Sequence, residues 1–253
     1  MKIIGVILNT FRESIRDKVF ITIIIFAILV MVSGKVIQPL ALGEEAKVVK
    51  DIGLNSIALF STLIAILVGG RLVYKEIEKR TLYLIITRPI HRWQFIVGKY
   101  FGLLLVLFES ILIMTCAFYL ILILLNISAS LNLLLSVLLT FFQLWVITAI
   151  AILFSTFSTP ITGAVFTFAL YFIGHLTRDL KTFGAMSKSG LVKTLSDIMY
   201  YVLPNLANFN IKGEVVHNVT IAPQIIVLTI AYAIVYSAII VFASCIIFQR
   251  KDF

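Results

Sequence analysis

The stretch that decides the fold covers residues 131–154 and reads LNLLLSVLLTFFQLWVITAIAILF, without one charged side chain. Its apolar residues are continuous rather than alternating, which favours a helix over a strand of a membrane barrel. A bilayer core about 30 Å thick requires roughly 20 helical residues to cross it. The stretch therefore predicts a transmembrane helix.

The composition of the whole chain agrees with a membrane protein. Of the 253 residues, 61% are hydrophobic and 13% are charged, and the mean hydropathy is +1.10. Soluble globular domains carry about 25% charged residues. Because backbone groups in lipid must be satisfied within their own segment, we predict an all-α integral membrane protein. Its six predicted transmembrane helices cover residues 19–36, 53–74, 95–125, 131–154, 161–176 and 224–248.

The distribution of lysine and arginine around these spans predicts the orientation. Short loops rich in these cations stay in the cytoplasm. Such cations precede the first span and surround the loop after the second: Lys2, Arg12, Arg16, Lys18, Arg71, Lys75, Lys79, Arg80, Arg88, Arg92 and Lys99. We therefore expect a multi-pass protein of the cell membrane with both termini in the cytoplasm.

Two segments outside the spans are predicted to be helical. The first, residues 1–18, indicates an amphipathic helix lying on the cytoplasmic leaflet, and a soluble helical cap is the alternative. The second, residues 177–223, is the expected extracytoplasmic segment, in which an amphipathic helix ends before Pro204. No repeat or long linker divides the chain, so residues 1–253 are predicted to form a single transmembrane domain.

The sequence lacks the motifs of enzymes and of nucleotide-binding sites. It contains no G-x-x-x-x-G-K-[ST] phosphate loop, no H-E-x-x-H zinc motif and no G-x-S-x-G nucleophile elbow. His175 and Asp179 are one helical turn apart, but a surface contact explains such a pair more simply than a metal site. We expect no catalytic residue, metal or cofactor in this chain. The net charge of +9 lies next to the spans, which favours lipid headgroups over nucleic acid.

One carboxylate lies in the middle of an apolar span. Glu109 interrupts residues 95–125, where an exposed charge costs about 2.5–3.5 kcal/mol on insertion scales. One interpretation is a residue that lines a translocation path or a subunit interface. The other is a polar contact between helices, with Gln143 on the next span as the partner.

A charged segment that ends in a proline turn separates the second and third spans. Residues 76–93 read EIEKRTLYLIITRPIHRW. Thr81 can cap a short helix over residues 82–87, and Pro89 ends it. Arg92 and Trp93 are typical of the membrane interface. Such a helix offers a soluble partner a docking point, and an ordinary basic loop is the alternative.

The pattern of this segment resembles a known family. Residues 76–99 carry E-x-E-x-x-T-L-x-x-I-x-x-R-P-x-x-R-x-x-F-x-x-G-K, which is similar to the ABC-2 type permeases and especially to their NosY-like members. The amphipathic start, the six spans and the outer segment are also similar. Arg80 stands where many relatives have glycine, which changes the start of the short helix.

The resemblance implies a permease subunit of an ABC transporter, acting as an exporter. It implies a second permease copy and two copies of a separate ATP-binding subunit that carries ATP and Mg²⁺. Residues 81–89 would form the coupling helix that docks into that subunit. The residues implied in coupling are Glu76, Glu78, Arg80, Thr81, Leu82, Leu84, Ile85, Arg88, Pro89 and Arg92. A non-transporting membrane scaffold or assembly factor is the alternative function.

Overall fold

The computed structural model describes residues 2–37, 43–78, 91–186, 190–217, 219 and 222–250 of the chain. These residues form ten α-helices and one turn of 3₁₀-helix at Ala207–Phe209. The helices are α1 (Lys2–Ile15), α2 (Lys18–Ile37), α3 (Glu45–Leu72), α4 (Tyr74–Glu78), α5 (Arg92–Leu124), α6 (Leu131–Phe157), α7 (Pro160–Met186), α8 (Gly190–Val202), α9 (Lys212–Val216) and α10 (Pro223–Gln249).

Six of these helices are long and apolar enough to cross a membrane, which confirms the predicted fold class. They are α2, α3, α5, α6, α7 and α10, and each overlaps one of the six predicted spans; the spans 53–74 and 95–125 run past the ends of α3 at Leu72 and of α5 at Leu124. Helix α3 begins at Glu45 and α7 continues to Met186, well outside the apolar runs 53–74 and 161–176. The ends differ because backbone hydrogen bonds continue a helix through polar residues, whereas hydropathy detects only its apolar part.

Helices α3 and α6 form the centre of the bundle. In each of them, 67% of the most apolar window is buried inside the protein, against 22% in α7 and in α10. Helix α6 packs along α10, α3, α5 and α7, and α2 packs on α3. The outer helices therefore present apolar side chains to the surroundings, as expected where lipid is the solvent.

Helix α1 packs closely against the first part of α5 through two glycines. A Cβ atom added at Gly98 would lie 2.7 Å from Val6 Cγ1, and one added at Gly102 would lie 2.6 Å from Thr10 Cβ. Small residues allow helix backbones to approach this closely. The side of α1 that faces α5 includes the small polar residue Thr10, which is fully buried, whereas Leu8 remains exposed.

The segment after α8 folds back onto α7 and α10. The backbone N–H of Leu206 donates to the carbonyl of Gly174 at 2.9 Å. The backbone N–H of Asn205 donates to the Tyr232 hydroxyl at 2.9 Å, and its Oδ1 accepts from Thr177 Oγ1 at 3.2 Å. Residues 203–206 are therefore fixed to two of the long helices.

Candidate functional site

A group of charged side chains lies where α1, α3, α4 and α5 meet, beside the start of residues 76–92, which are the predicted coupling segment. We call it the inner charged cluster, and its members are Glu13, Asp17, Arg71, Lys75, Glu76 and Lys99. The members come from four different helices and from the turn between α1 and α2. The cluster therefore connects segments that are far apart in sequence.

Lys99 is the central cation of this cluster. Its side chain is only 2% exposed, and its Nζ lies 3.0 Å from Glu76 Oε1 and 4.0 Å from Glu13 Oε2. The ammonium group also lies 5.5 Å from the centre of the Phe95 ring. A buried charge is tolerated when it is paired and hydrogen-bonded. Lys99 therefore binds the start of the coupling segment, through Glu76, to the body of α5.

Two further ion pairs connect α1 to α4 and the turn after α1 to the end of α3. Lys75 pairs with Glu13, and Arg71 Nη2 lies 3.1 Å from Asp17 Oδ2. The other carboxylate oxygen of Asp17 accepts a hydrogen bond from the Val19 backbone N–H at 2.9 Å, which caps the start of α2. Asp17 thus holds both the first turn of α2 and the last turn of α3.

The break between α3 and α4 is held by one buried hydroxyl. The backbone N–H groups of Val73 and Tyr74 both point at Ser155 Oγ on α6, at 3.1 and 3.2 Å. Ser155 is completely buried. An amide that leaves the helical pattern needs another acceptor, and Ser155 provides it here.

The far side of the coupling segment is attached to the end of α10. Arg92 Nη1 donates to the Gln249 carbonyl at 3.0 Å, and the rings of Phe95 and Phe248 stack at 5.7 Å. The start of α5 is capped: the His91 backbone N–H donates to Gln94 Oε1 at 3.2 Å. The two ends of the segment therefore contact different helices, α5 through Glu76 and α10 through Arg92.

Most of the predicted coupling residues lie outside the described residues. These are Arg80, Thr81, Leu82, Leu84, Ile85, Arg88 and Pro89, and the short helix predicted over residues 82–87 is among them. Of the others, Glu78 ends α4, and its side chain is also outside the described part. Glu76 and Arg92 are described, and they occupy the two ends of the segment.

Sequence reasoning did not identify Glu13, Asp17, Arg71, Lys75 or Lys99 as members of one site. It used the cations among them as evidence for orientation, and Lys99 also as the last residue of the pattern over residues 76–99. A usable signal was present at Lys99, a lysine that stands inside the third apolar run between Gly98 and Gly102. A lysine in that position needs a carboxylate partner, because an isolated charge inside an apolar run is costly.

The predicted contact between Glu109 and Gln143 is not made. Gln143 Nε2 lies 3.2 Å from His175 Nε2, so Gln143 joins α6 to α7 rather than to α5. Glu109 Oε2 is buried and has no hydrogen-bond partner in the described part of the chain. Hydropathy locates the two spans, but it does not show which of their side chains meet, so the role of Glu109 stays a prediction.

Both ring nitrogens of His175 are engaged within the protein. Nε2 contacts Gln143, and Nδ1 lies 2.9 Å from the Tyr171 carbonyl. Helix α7 continues past Asp179, so the pair His175 and Asp179 lies within one helix. Among the described residues, no three His, Cys, Asp or Glu side chains are grouped to hold a metal ion.

A smaller polar group lies at the opposite end of the bundle. Lys212 Nζ on α9 donates to Asn55 Oδ1 at 3.1 Å, and Asn55 Nδ2 donates to Asp51 Oδ1 at 2.9 Å. Burial lowers the pKa of Lys212 to about 8, and the nearby Asp51 carboxylate opposes that shift. These contacts fasten α9 to the first part of α3.

The comparison with known families identifies the chain at family level. The sequence pattern of the family described as ABC-2 family transporter protein matches residues 12–175, which is well over half of the chain. No curated protein matches it. The matched region includes α2, α3, α5 and α6, together with all six members of the inner charged cluster and the whole segment between α4 and α5. The chain belongs to the ABC-2 family of membrane transporter proteins.

Proposed function

We propose that this chain is the permease subunit of an ABC exporter of the NosY-like type, driven by a separate ATP-binding subunit. The observation that carries the proposal is that the residues on either side of residues 79–90 are attached to different membrane helices. Glu76 pairs with the buried Lys99 of α5, and Arg92 donates to the Gln249 carbonyl at the end of α10. A displacement of this segment would reach two membrane helices directly.

The coupling step is a push on the segment between α4 and α5. In this proposal, residues 81–89 contact the ATP-binding subunit, and they contact its ATP-bound and ATP-free states differently, because only a difference in contact free energy can shift an equilibrium. Ser155 holds the α3–α4 break against α6. The segment therefore moves about a fixed point at Val73 and Tyr74, and Lys99 and Arg92 transmit the movement.

The rest of the assembly follows from the same proposal. Two permease copies and two ATP-binding subunits form the transporter, and the translocation path lies between the permease copies. ATP and Mg²⁺ bind to the partner subunits, so this chain performs no catalysis. Both termini and the segment between α4 and α5 lie in the cytoplasm, in agreement with the excess of lysine and arginine there.

The first experiment tests whether an ATPase binds through this segment. The full chain is purified from native membranes in mild detergent, as wild type and with residues 81–87 scrambled. We expect a P-loop ATPase to copurify with the wild type in a fixed ratio and to be lost from the scrambled variant. A scramble of residues 191–195 in the exposed outer helix α8 is the control, and it should retain the ATPase.

The opposite result has a definite meaning. A wild-type chain that purifies alone from native membranes, without ATPase activity in the eluate, would contradict the permease proposal. It would favour the non-transporting scaffold or assembly factor. A scrambled variant that inserts normally and keeps the ATPase would place the docking surface elsewhere on the chain.

A further inference from the structure

An open groove runs along the outside of the bundle between α5 and α10. Its volume is about 620 Å³, and its walls include Trp93, Tyr100, Trp145, Ile234, Phe242 and Gln249. Trp145 belongs to α6 and forms the inner wall. The groove starts at Trp93 and Gln249, which are next to the far end of the coupling segment.

The length of the groove equals that of one membrane leaflet. On α10 it extends from Ile234 to Gln249, and the fifteen helical steps between these residues span about 22 Å. A bilayer with its headgroup regions is about 40–45 Å thick, so one leaflet is about half of that. The groove therefore fits a molecule that extends from the membrane surface to the bilayer midplane.

The walls suit an alkyl chain. Most of the lining side chains are aliphatic or aromatic. The Tyr100 hydroxyl is already used in a hydrogen bond to the Trp145 carbonyl at 3.4 Å.

The surface end of the groove is positively charged. Arg92 directly precedes Trp93, and its guanidinium reaches Gln249, while the exposed Arg250 directly follows Gln249. Guanidinium groups pair well with phosphate. Trp93 is also typical of the headgroup region. The groove thus combines an apolar wall of one leaflet's length with two cations at its surface end.

We propose that this groove binds one anionic phospholipid. An acyl chain lies along Tyr100, Ile234 and Phe242, and the phosphate lies between Arg92 and Arg250. The assignment of this lipid to the cytoplasmic leaflet rests on the proposed topology, whereas binding itself does not. Because Arg92 contacts α10 at the end of the coupling segment, the bound lipid joins the two helices that receive movement from that segment.

The test uses the two tryptophans of the chain, Trp93 and Trp145, which both line the groove. The full chain is reconstituted in phosphatidylcholine vesicles that contain a small equal fraction of either brominated phosphatidylglycerol or brominated phosphatidylcholine. Bromine quenches tryptophan fluorescence on contact. Each arginine near an anionic headgroup is worth a factor of about 5 in local concentration. We therefore expect several-fold stronger quenching by the anionic lipid.

Variants separate the phosphate site from the acyl site. R250Q removes an exposed guanidinium without touching the bundle, and it should lower the preference for phosphatidylglycerol by about fivefold. Ala238→Phe fills the groove and should reduce quenching by both lipids. Lys35→Gln, which removes an exposed cation at the far end of α2, is the control and should leave the preference unchanged.

Two results would overturn the proposal. Equal quenching by the two lipids in the wild type, unchanged by R250Q, would show that the groove does not select an anionic headgroup. Absence of quenching by both lipids, together with disulfide cross-linking of Phe242→Cys between two chains, would show that a second copy covers the groove. ATP-binding subunits are not needed for any of these measurements, so failure here is separate from failure of the proposed function.

Discussion

Lys99 shows how one residue can fix the position of a whole segment. Its ammonium group is almost fully buried and has carboxylates from α1 and α4 as its partners. Replacing a buried ion pair by apolar residues is often neutral, whereas removing one partner leaves an uncompensated charge and costs about 3–5 kcal/mol. The cluster therefore fixes the position of α4 relative to α1 and α5, and it adds little to the net stability of the fold.

This asymmetry gives a first prediction. Glu76→Ala should lower the free energy of unfolding by about 3 kcal/mol, because Glu13, at 4.0 Å, is then the carboxylate that remains paired with Lys99 among the described residues. The double variant Glu76→Ala with Lys99→Met should recover most of that loss, since no buried cation remains. Thermal unfolding of the purified protein measures both. Glu44→Ala, which removes an exposed ion pair with Lys47, is the control and should have no measurable effect. Equal losses of unfolding free energy in the single and double variants would contradict the pairing of Lys99 with Glu76.

A second prediction concerns pH and Lys212. The pKa of Lys212 is lowered to about 8 in the folded protein, from a usual value of 10.5. Between these values the unfolded chain binds more protons than the folded one, so stability should rise as the pH increases from 8 to 10.5. The groups that face Lys212 are Asp51 and Asn55 on α3 and His175 on α7.

The measurement compares unfolding temperatures at pH 7.5, 9 and 10 for the wild type and Lys212→Met. The rise between pH 7.5 and 10 should be smaller in Lys212→Met by the contribution of this one group. Lys35→Met serves as the matched exposed lysine and should keep the wild-type slope. If all three proteins show the same slope, the ammonium group of Lys212 is not desolvated.

At the scale of elements, the contact between α1 and α5 depends on the absence of side chains at two positions. Gly102→Ala would place a Cβ atom 2.6 Å from Thr10 Cβ and 3.0 Å from the Ile7 carbonyl oxygen. Overpacking of this kind typically costs about 1–3 kcal/mol. We expect α1 to separate from α5 and to become more sensitive to limited proteolysis. Gly5→Ala, where a Cβ meets nothing within 4 Å, is the control and should leave the cleavage rate unchanged. An unchanged rate in Gly102→Ala would contradict close packing.

The elements themselves were largely predictable from the sequence, because a helix in lipid must be apolar over a known length. Their partners were not predictable in the same way. Hydropathy identified α5 and α6 but could not show that Gln143 faces His175 instead of Glu109. The buried face of α1 contains Thr10, whose small polar side chain carries no hydrophobic signal. The partner of Gln143 and the buried face of α1 both depend on which distant segments pack together. Local sequence does not contain that information.

At the scale of the whole molecule, the charged cluster lies at one end of the bundle and the Lys212 group at the other. The even number of long helices places the start of α2 and the end of α10 on the same side. The excess of lysine and arginine near these ends predicts that this side is the cytoplasmic one. The orientation stays a prediction that a labelling experiment can decide.

The labelling experiment uses single cysteines in a background with Cys116 and Cys245 replaced by alanine. Glu44→Cys, before α3, should react with a membrane-impermeant maleimide in intact cells, because it is predicted to lie outside. Thr159→Cys, between α6 and α7, should react only after the cells are permeabilised. The reverse pattern would invert the topology and would place the coupling segment on the wrong side of the membrane for an ATP-driven partner.

The six long helices differ greatly in length, and this has a mechanical consequence for the surrounding bilayer. Helix α5 has 33 residues and is about 50 Å long, whereas α2 has 20 residues and is about 30 Å long. Lysines at both ends of α2, Lys18 and Lys35, shorten its apolar part further. Among the six long helices, α2 is the shortest, and its apolar part therefore falls short of a hydrocarbon core about 30 Å thick. Either the bilayer beside α2 becomes thinner or the two lysines extend their side chains toward the headgroups. Each costs fractions of a kcal/mol per Å of mismatch. A thicker membrane raises that cost on one side of the protein only.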